Sequence, residues 1–102
     1  MTMNNLGNAL AVLGRSGDRR ALEDAITVYR QVLEVRTRER APLLWAGTQK
    51  NLGSALWNAG QTQLAETHFR NALEIFRTVN APASAQGLEQ TMIGYGLDPN
   101  LN

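Results

Sequence analysis

Few of the 102 residues could carry covalent chemistry, and their spacing points away from it. The single histidine, His68, has no sequence neighbour suited to act as a second positioned acid or base, which general acid–base catalysis requires. The single lysine, Lys50, lies in Gln49-Lys50-Asn51 and not behind a glycine-rich phosphate loop. Ser16, Ser54 and Ser84 stand outside any Gly-x-Ser-x-Gly setting. Cysteine is absent, which excludes disulfides, thiolate zinc sites, iron–sulfur clusters and thiol catalysis. One histidine cannot build a multi-histidine metal site. The expectation is a protein that is not an enzyme and needs no cofactor or metal.

The chain does offer binding chemistry. Asparagine carries both a donor and an acceptor, so it can pair with a peptide backbone whatever its sequence. Asn4, Asn5 and Asn8 cluster near the start, and Lys50, Asn51, Ser54 and Trp57 lie together near the middle. Lys50 could hold a carboxylate, and Trp57 could supply a flat apolar contact. A second cluster is basic: Arg15, Arg19, Arg20, Arg30, Arg36, Arg38 and Arg40 fall within 26 residues. Asp18, Glu23, Asp24, Glu34 and Glu39 are interspersed with them. Arg30–Glu34 and Glu34–Arg38 are four apart and suit pairing along a helix. A self-paired, solvated face therefore explains the arginines better than a nucleic-acid site, and the net charge of only +1 agrees.

Those residues need elements to hold them. Apolar residues make up 43% and charged residues 19%, as in a folded domain, and the length suits one domain. The charge-free stretch Ala41–Gly47 is broken by Pro42 and falls far short of the ~20 residues that span a bilayer. No basic run precedes an apolar segment at the N-terminus, so no secretory signal is expected. The absence of cysteine is compatible with a reducing compartment, and a cytoplasmic location is the expectation.

The chain repeats itself. Asn4-Asn-Leu-Gly-Asn-Ala-Leu10 returns 46 residues later as Lys50-Asn-Leu-Gly-Ser-Ala-Leu56. Tyr29-Arg-Gln-Val-Leu-Glu-Val35 returns 40 later as Phe69-Arg-Asn-Ala-Leu-Glu-Ile75, and Ala41-Pro42 returns as Ala81-Pro82. The first unit thus holds six extra residues between Gly7 and Ala25, which an added loop or helical turn around Gly14–Arg20 would absorb.

Both motifs have helical periodicity, with Leu6, Ala9, Leu10 and Leu13 matched by Leu52, Ala55, Leu56 and Ala59. Five helices are expected, at about 2–14, 18–40, 42–59, 62–79 and 82–93. Ser16 or Asp18 can cap the second, Thr62 can cap the fourth, and Pro42 suits a first helical turn. Gly14, Gly17 and Gly60 sit where helices should stop. The fifth would turn Ala85, Leu88 and Met92 inward and Gln86, Glu89 and Gln90 outward, as a polar-backed cap. Residues 94–102 read as a loose tail.

Leu52-Gly53, Leu56, Ala65, Phe69 and Ala72 resemble the packing pattern of a tetratricopeptide repeat (TPR). Leu6-Gly7, Leu10, Ala25 and Tyr29 resemble it in the first unit, where Val32 replaces the usual alanine. The longer wording of Glu23–Glu39 and Trp45–Gly53 is similar to repeats of kinesin light chains and bacterial TPR arrays.

The resemblance implies an all-α solenoid of antiparallel helical hairpins stacked as a short right-handed superhelix. Its first repeat would cover about 3–41, its second about 42–81, and a capping helix about 82–93, in one domain over 1–93. Gly7 and Gly53 would face the second helix of their own hairpins, and Tyr29 and Phe69 would fill the wedge between hairpins. The first helices would line a concave groove that holds a protein or peptide segment, placing Asn4, Asn5, Asn8, Lys50, Asn51, Ser54 and Trp57 in it. Such a module is a non-catalytic scaffold. Lys50 alone is too few cations for the terminal-carboxylate clamp of chaperone-binding members. The alternative is self-assembly, as a homodimer or with neighbouring repeats of a longer array, through exposed hairpin ends or swapped helices. Neither nucleic acid nor membrane is an expected partner.

Overall fold

The computed structural model describes residues 3–15 and 17–101, without the side chains of Met3, Asn4, Asn5, Ala9, Leu13 and Arg15. The described residues form an all-α protein of five helices. These are α1 (Met3–Arg15), α2 (Arg19–Val35), α3 (Pro42–Asn58), α4 (Thr62–Thr78) and α5 (Pro82–Gly94). α1 packs chiefly on α2 and α3 on α4, so two hairpins form; α2 meets α3 between them, and α5 rests on α4.

Glycine sets the closeness of each hairpin. A Cβ built on Gly7 would lie 2.6 Å from Tyr29 Cε1, and one on Gly53 2.8 Å from Phe69 Cδ1. Both aromatic rings are almost wholly buried. They fill the space that the missing side chains leave, each inside its own hairpin. Ala25, Tyr29, Leu52, Ala65, Phe69, Leu88 and Met92 belong to one continuous core. Leu6 and Leu52 occupy equivalent places in the repeat, yet Leu6 is 42% exposed and Leu52 1%. α3 is flanked by the first hairpin and by the second helix of its own, whereas α1 packs chiefly on α2.

The six-residue surplus is helix, not loop. Gly7 lies eight residues before the end of α1, whereas Gly53 lies five before the end of α3. Ala25 lies six residues into α2, whereas Ala65 lies three into α4. Each helix of the first hairpin is therefore longer by about one turn at the connecting end. Gly14 is inside α1, where a Cβ would come within 2.7 Å of Leu22 Cβ, so it packs the extension and does not stop the helix.

Helix ends follow local chemistry. Asp18 caps α2, its carboxylate accepting from the Ala21 N–H at 2.9 Å. The other cap read there, Ser16, lies outside the described residues. Thr62 does not cap α4: it is the first helical residue, after Gln61, which makes no side-chain cap bond. α3, α4 and α5 each end in a left-handed residue, Gly60 (φ 85), Asn80 (φ 56) and Gly96 (φ 82). The amide after each reaches back five residues, as Gln61 to Leu56 O (2.9 Å), Ala81 to Phe76 O (2.8 Å) and Leu97 to Met92 O (2.9 Å). This is the Schellman closure, which satisfies carbonyls a helix end would otherwise leave open.

Two sequence expectations need correction. α2 does not continue to Arg40; it ends at Val35, with Arg36 extended (φ −102, ψ 101). Pro42 disfavours helical backbone at Ala41, and Thr37 closes a separate turn, accepting from the Arg40 N–H through Oγ1. That end takes Arg38 off the helix face of Glu34, and neither Glu34–Arg38 nor Arg30–Glu34, which lies wholly within α2, is among the ion pairs of the described residues. Arg38 instead reaches Glu74 at 3.2 Å and lies 5.8 Å from the Trp45 ring centroid. The segment after α5, read as loose, is laid against α4 through Leu101: Pro99 is buried, and Arg70 donates to the Asp98 and Leu101 carbonyls.

Close approach at Gly53 and open space at Gly87 give opposite expectations for the same substitution. Gly53→Ala gains helix propensity but overpacks a buried ring, for a net loss of roughly 1–2 kcal/mol. Gly87→Ala meets nothing within 4 Å and should gain ~0.5–1 kcal/mol. Urea unfolding of both variants beside the native chain checks the pair.

Candidate functional site

Side chains from three helices converge on one cleft of about 320 Å³. α1 contributes Asn8, Ala11 and Val12; α3 contributes Lys50, Asn51 and Ser54; α5 contributes Thr91; Tyr29 of α2 reaches it from behind. α1 and α3 are the first helices of the two hairpins and α5 follows the second, so the cleft lies where these three alternate helices adjoin.

The centre of the groove is a fixed polar network. Asn8 Oδ1 accepts from the Tyr29 hydroxyl at 2.5 Å and from Asn51 Nδ2 at 3.1 Å. Both bonds fall on the Asn8 oxygen, so the Asn8 Nδ2 donors and the Asn51 Oδ1 acceptor take no part in them. Lys50 is the one charged side chain lining the cleft, and it makes no ion pair or hydrogen bond among the described residues. The network ties α1, α2 and α3 together through groups that sit between groove and core.

Of the residues read as site residues, Asn8, Lys50, Asn51 and Ser54 are brought together. The side chains of Asn4 and Asn5 lie outside the described residues. Trp57 does not line this cleft. It is half-buried and stacks on Tyr95, with ring centroids 4.3 Å apart and planes at 18°. Tyr95 also lies 5.9 Å from Phe69, so Trp57 belongs to an aromatic stack that fastens the end of α5 to the second hairpin.

Tyr29 and Thr91 were not read as groove residues. The spacing of Tyr29 points only to packing, although its hydroxyl is a polar tip that a buried ring must satisfy. Thr91 carried a signal: it stands 40 residues after Asn51, the spacing of the two Ala-Pro dipeptides.

The family model for the tetratricopeptide repeat matches residues 1–39 and 45–84. The chain belongs to the tetratricopeptide repeat family. The first matched segment takes in the α1–α2 hairpin, and the second takes in the α3–α4 hairpin except the first three residues of α3. Comparisons with curated proteins and with solved structures returned no match. Tetratricopeptide repeats are in general protein–protein interaction modules. No helix of the described residues is long and apolar enough to cross a membrane, and no group of three His, Asp or Glu side chains among them could hold a metal ion.

A second polar contact lies between the repeats. His68 Nδ1 of α4 meets Oε1 of the buried Gln49 of α3. With that oxygen accepting, the neutral ring carries its proton on Nδ1. Burial pushes the imidazole pKa below its ordinary 6.5, and the Arg30 guanidinium lowers it further.

This shift fixes a sign. The unfolded chain, at 6.5, binds a proton before the folded one does, so His68's contribution is complete above pH 6.5. It is lost as pH falls from 6.5 through the lowered folded value. Urea midpoints measured between pH 7.5 and 5 should therefore fall more for the native chain than for His68→Gln, which keeps a partner for Gln49 but cannot ionise. Equal slopes would contradict this.

Proposed function

We propose that this chain is a non-catalytic interaction module whose groove takes an extended peptide or protein segment. One observation carries the reading. Asn8 and Asn51 are locked to each other and to Tyr29 beside an unpaired Lys50, on the shared side of α1, α3 and α5. Groups held in place before a ligand arrives lose little freedom on binding, which is how a shallow polar groove gains affinity. The amides suit a ligand main chain, Lys50 suits an acidic group, and Ala11 and Val12 give a small apolar floor.

A second reading, self-assembly, is favoured by apolar side chains on the end helices, Ile93 at 60% exposed and Val12 at 51%. Ile93 is the position that tests it. Leu88 and Met92, on the same helix, are fully buried, so charging them would disturb the core. A mass that rises with concentration in light scattering, and falls back in Ile93→Glu, would support self-assembly; a monomer throughout would remove it.

The groove is tested with a displayed library of random peptides selected on the immobilised chain. The best binder should lose at least about tenfold in affinity to Lys50→Glu/Asn51→Ala, with far-UV circular dichroism unchanged. Full-strength binding by that double variant, or a library that yields no binder to the native chain, would contradict the groove.

A further inference from the structure

On α4, two arginines hold the chain that follows α5. Arg70 is set by Glu66 one turn earlier, with Nε and Nη2 at 2.9 and 2.8 Å from its Oε2. Its remaining Nη1 donates to two main-chain carbonyls, Asp98 at 3.1 Å and Leu101 at 2.5 Å. Those carbonyls lie on one side because the segment folds on itself. The Asp98 carboxylate accepts from the Asn100 N–H at 2.9 Å, and Asp98 O accepts from the Leu101 N–H at 3.3 Å. Pro99, between them, is buried. Arg77, two turns beyond Arg70 on α4, donates through Nη2 to Glu89 of α5 (3.0 Å) and to Asn100 Oδ1 (3.1 Å).

We propose that residues 97–101 form a strap across α4 whose closure holds α5 in place, and with α5 the Thr91 wall of the groove. α5 needs such a device. It has 13 residues and buries only Ala85, Leu88 and Met92. Each inner helix, by contrast, packs against neighbours on two sides. The strap follows Gly96, whose left-handed backbone turns the chain back toward α4 just after Tyr95 has stacked on Trp57. One guanidinium, Arg77, joins α4, α5 and strap, so α5 and the strap are fastened at a common point. Arg70 reads carbonyls and not side chains, so it fixes the path of the strap rather than its composition.

The consequence at Thr91 rests on the groove reading; the strap itself is tested whether or not the groove binds peptide. Hydrogen–deuterium exchange is followed on the full-length chain, native and in two variants that release the strap differently. Arg70→Ala removes its anchor, and Pro99→Gly loosens it without touching α4. In both, the Asn100 and Leu101 amides should lose protection, and amides of α5 should exchange about three- to tenfold faster, with α3 unchanged. Loss of protection confined to residues 97–101, with α5 unaffected, would overturn the proposal. So would unprotected Asn100 and Leu101 amides in the native chain. If α3 and α5 accelerate together in Arg70→Ala, general destabilisation is responsible, and Pro99→Gly decides: α5 must still loosen alone.

Discussion

Everything in this protein depends on how closely two helices can approach where a glycine faces an aromatic ring. Gly7 receives Tyr29, and Gly53 receives Phe69, each inside its own hairpin. The lost methyl groups let the rings lie flat against the facing helix, and the rings supply much of the apolar burial that a stack of short helices needs. The same contact reaches the groove. With its ring seated against Gly7, Tyr29 carries its hydroxyl to Asn8, and Asn8 in turn holds Asn51. Core packing and groove geometry are therefore joined through one side chain.

The repeat carries this arrangement forward but not identically. The first hairpin extends about a turn further past the repeat positions at its connecting end and uses another tight glycine, Gly14 against Leu22, to pack the extension. At the other end, α5 stands where a further hairpin would begin. Its fixing comes from unlike sources: the Trp57–Tyr95 stack, the Arg77–Glu89 pair and the buried Pro99. The array interior is held by repetition, and its C-terminal side by contacts that have no counterpart in the repeat.

That division explains what could be read from the sequence. The Asn8, Lys50, Asn51, Ser54 grouping and the placing of Gly7 and Gly53 against their own hairpins rest on the resemblance to the repeat family. Helix positions and the two hairpins follow from spacing within an element or from the repeat offset. The end of α2 did not, because Arg36-Thr-Arg-Glu-Arg40 contains no helix breaker. The helix stops at Val35 all the same: Arg36 is extended and Thr37 takes part in a separate turn, neither of which that composition marks. Trp57 was placed by its spacing from Ser54, three residues away on the same helix. Its actual partner, Tyr95, lies 38 residues on, beyond any local pattern. His68 and Gln49 are likewise joined only by the packing of α3 on α4. The strap was illegible for the same reason: Arg70 binds carbonyls, and carbonyls leave no mark in a sequence.

The most direct measurement of the glycine–aromatic constraint is a double-mutant cycle in urea unfolding on Gly7→Ala and Tyr29→Leu. All three nearest neighbours of a Gly7 Cβ are Tyr29 ring atoms, so the cycle isolates that approach. Gly7→Ala should cost about 1–3 kcal/mol in the native chain and little or nothing once Tyr29 is leucine. An equal cost in both backgrounds would contradict the claim that the tyrosine ring is what requires glycine at position 7.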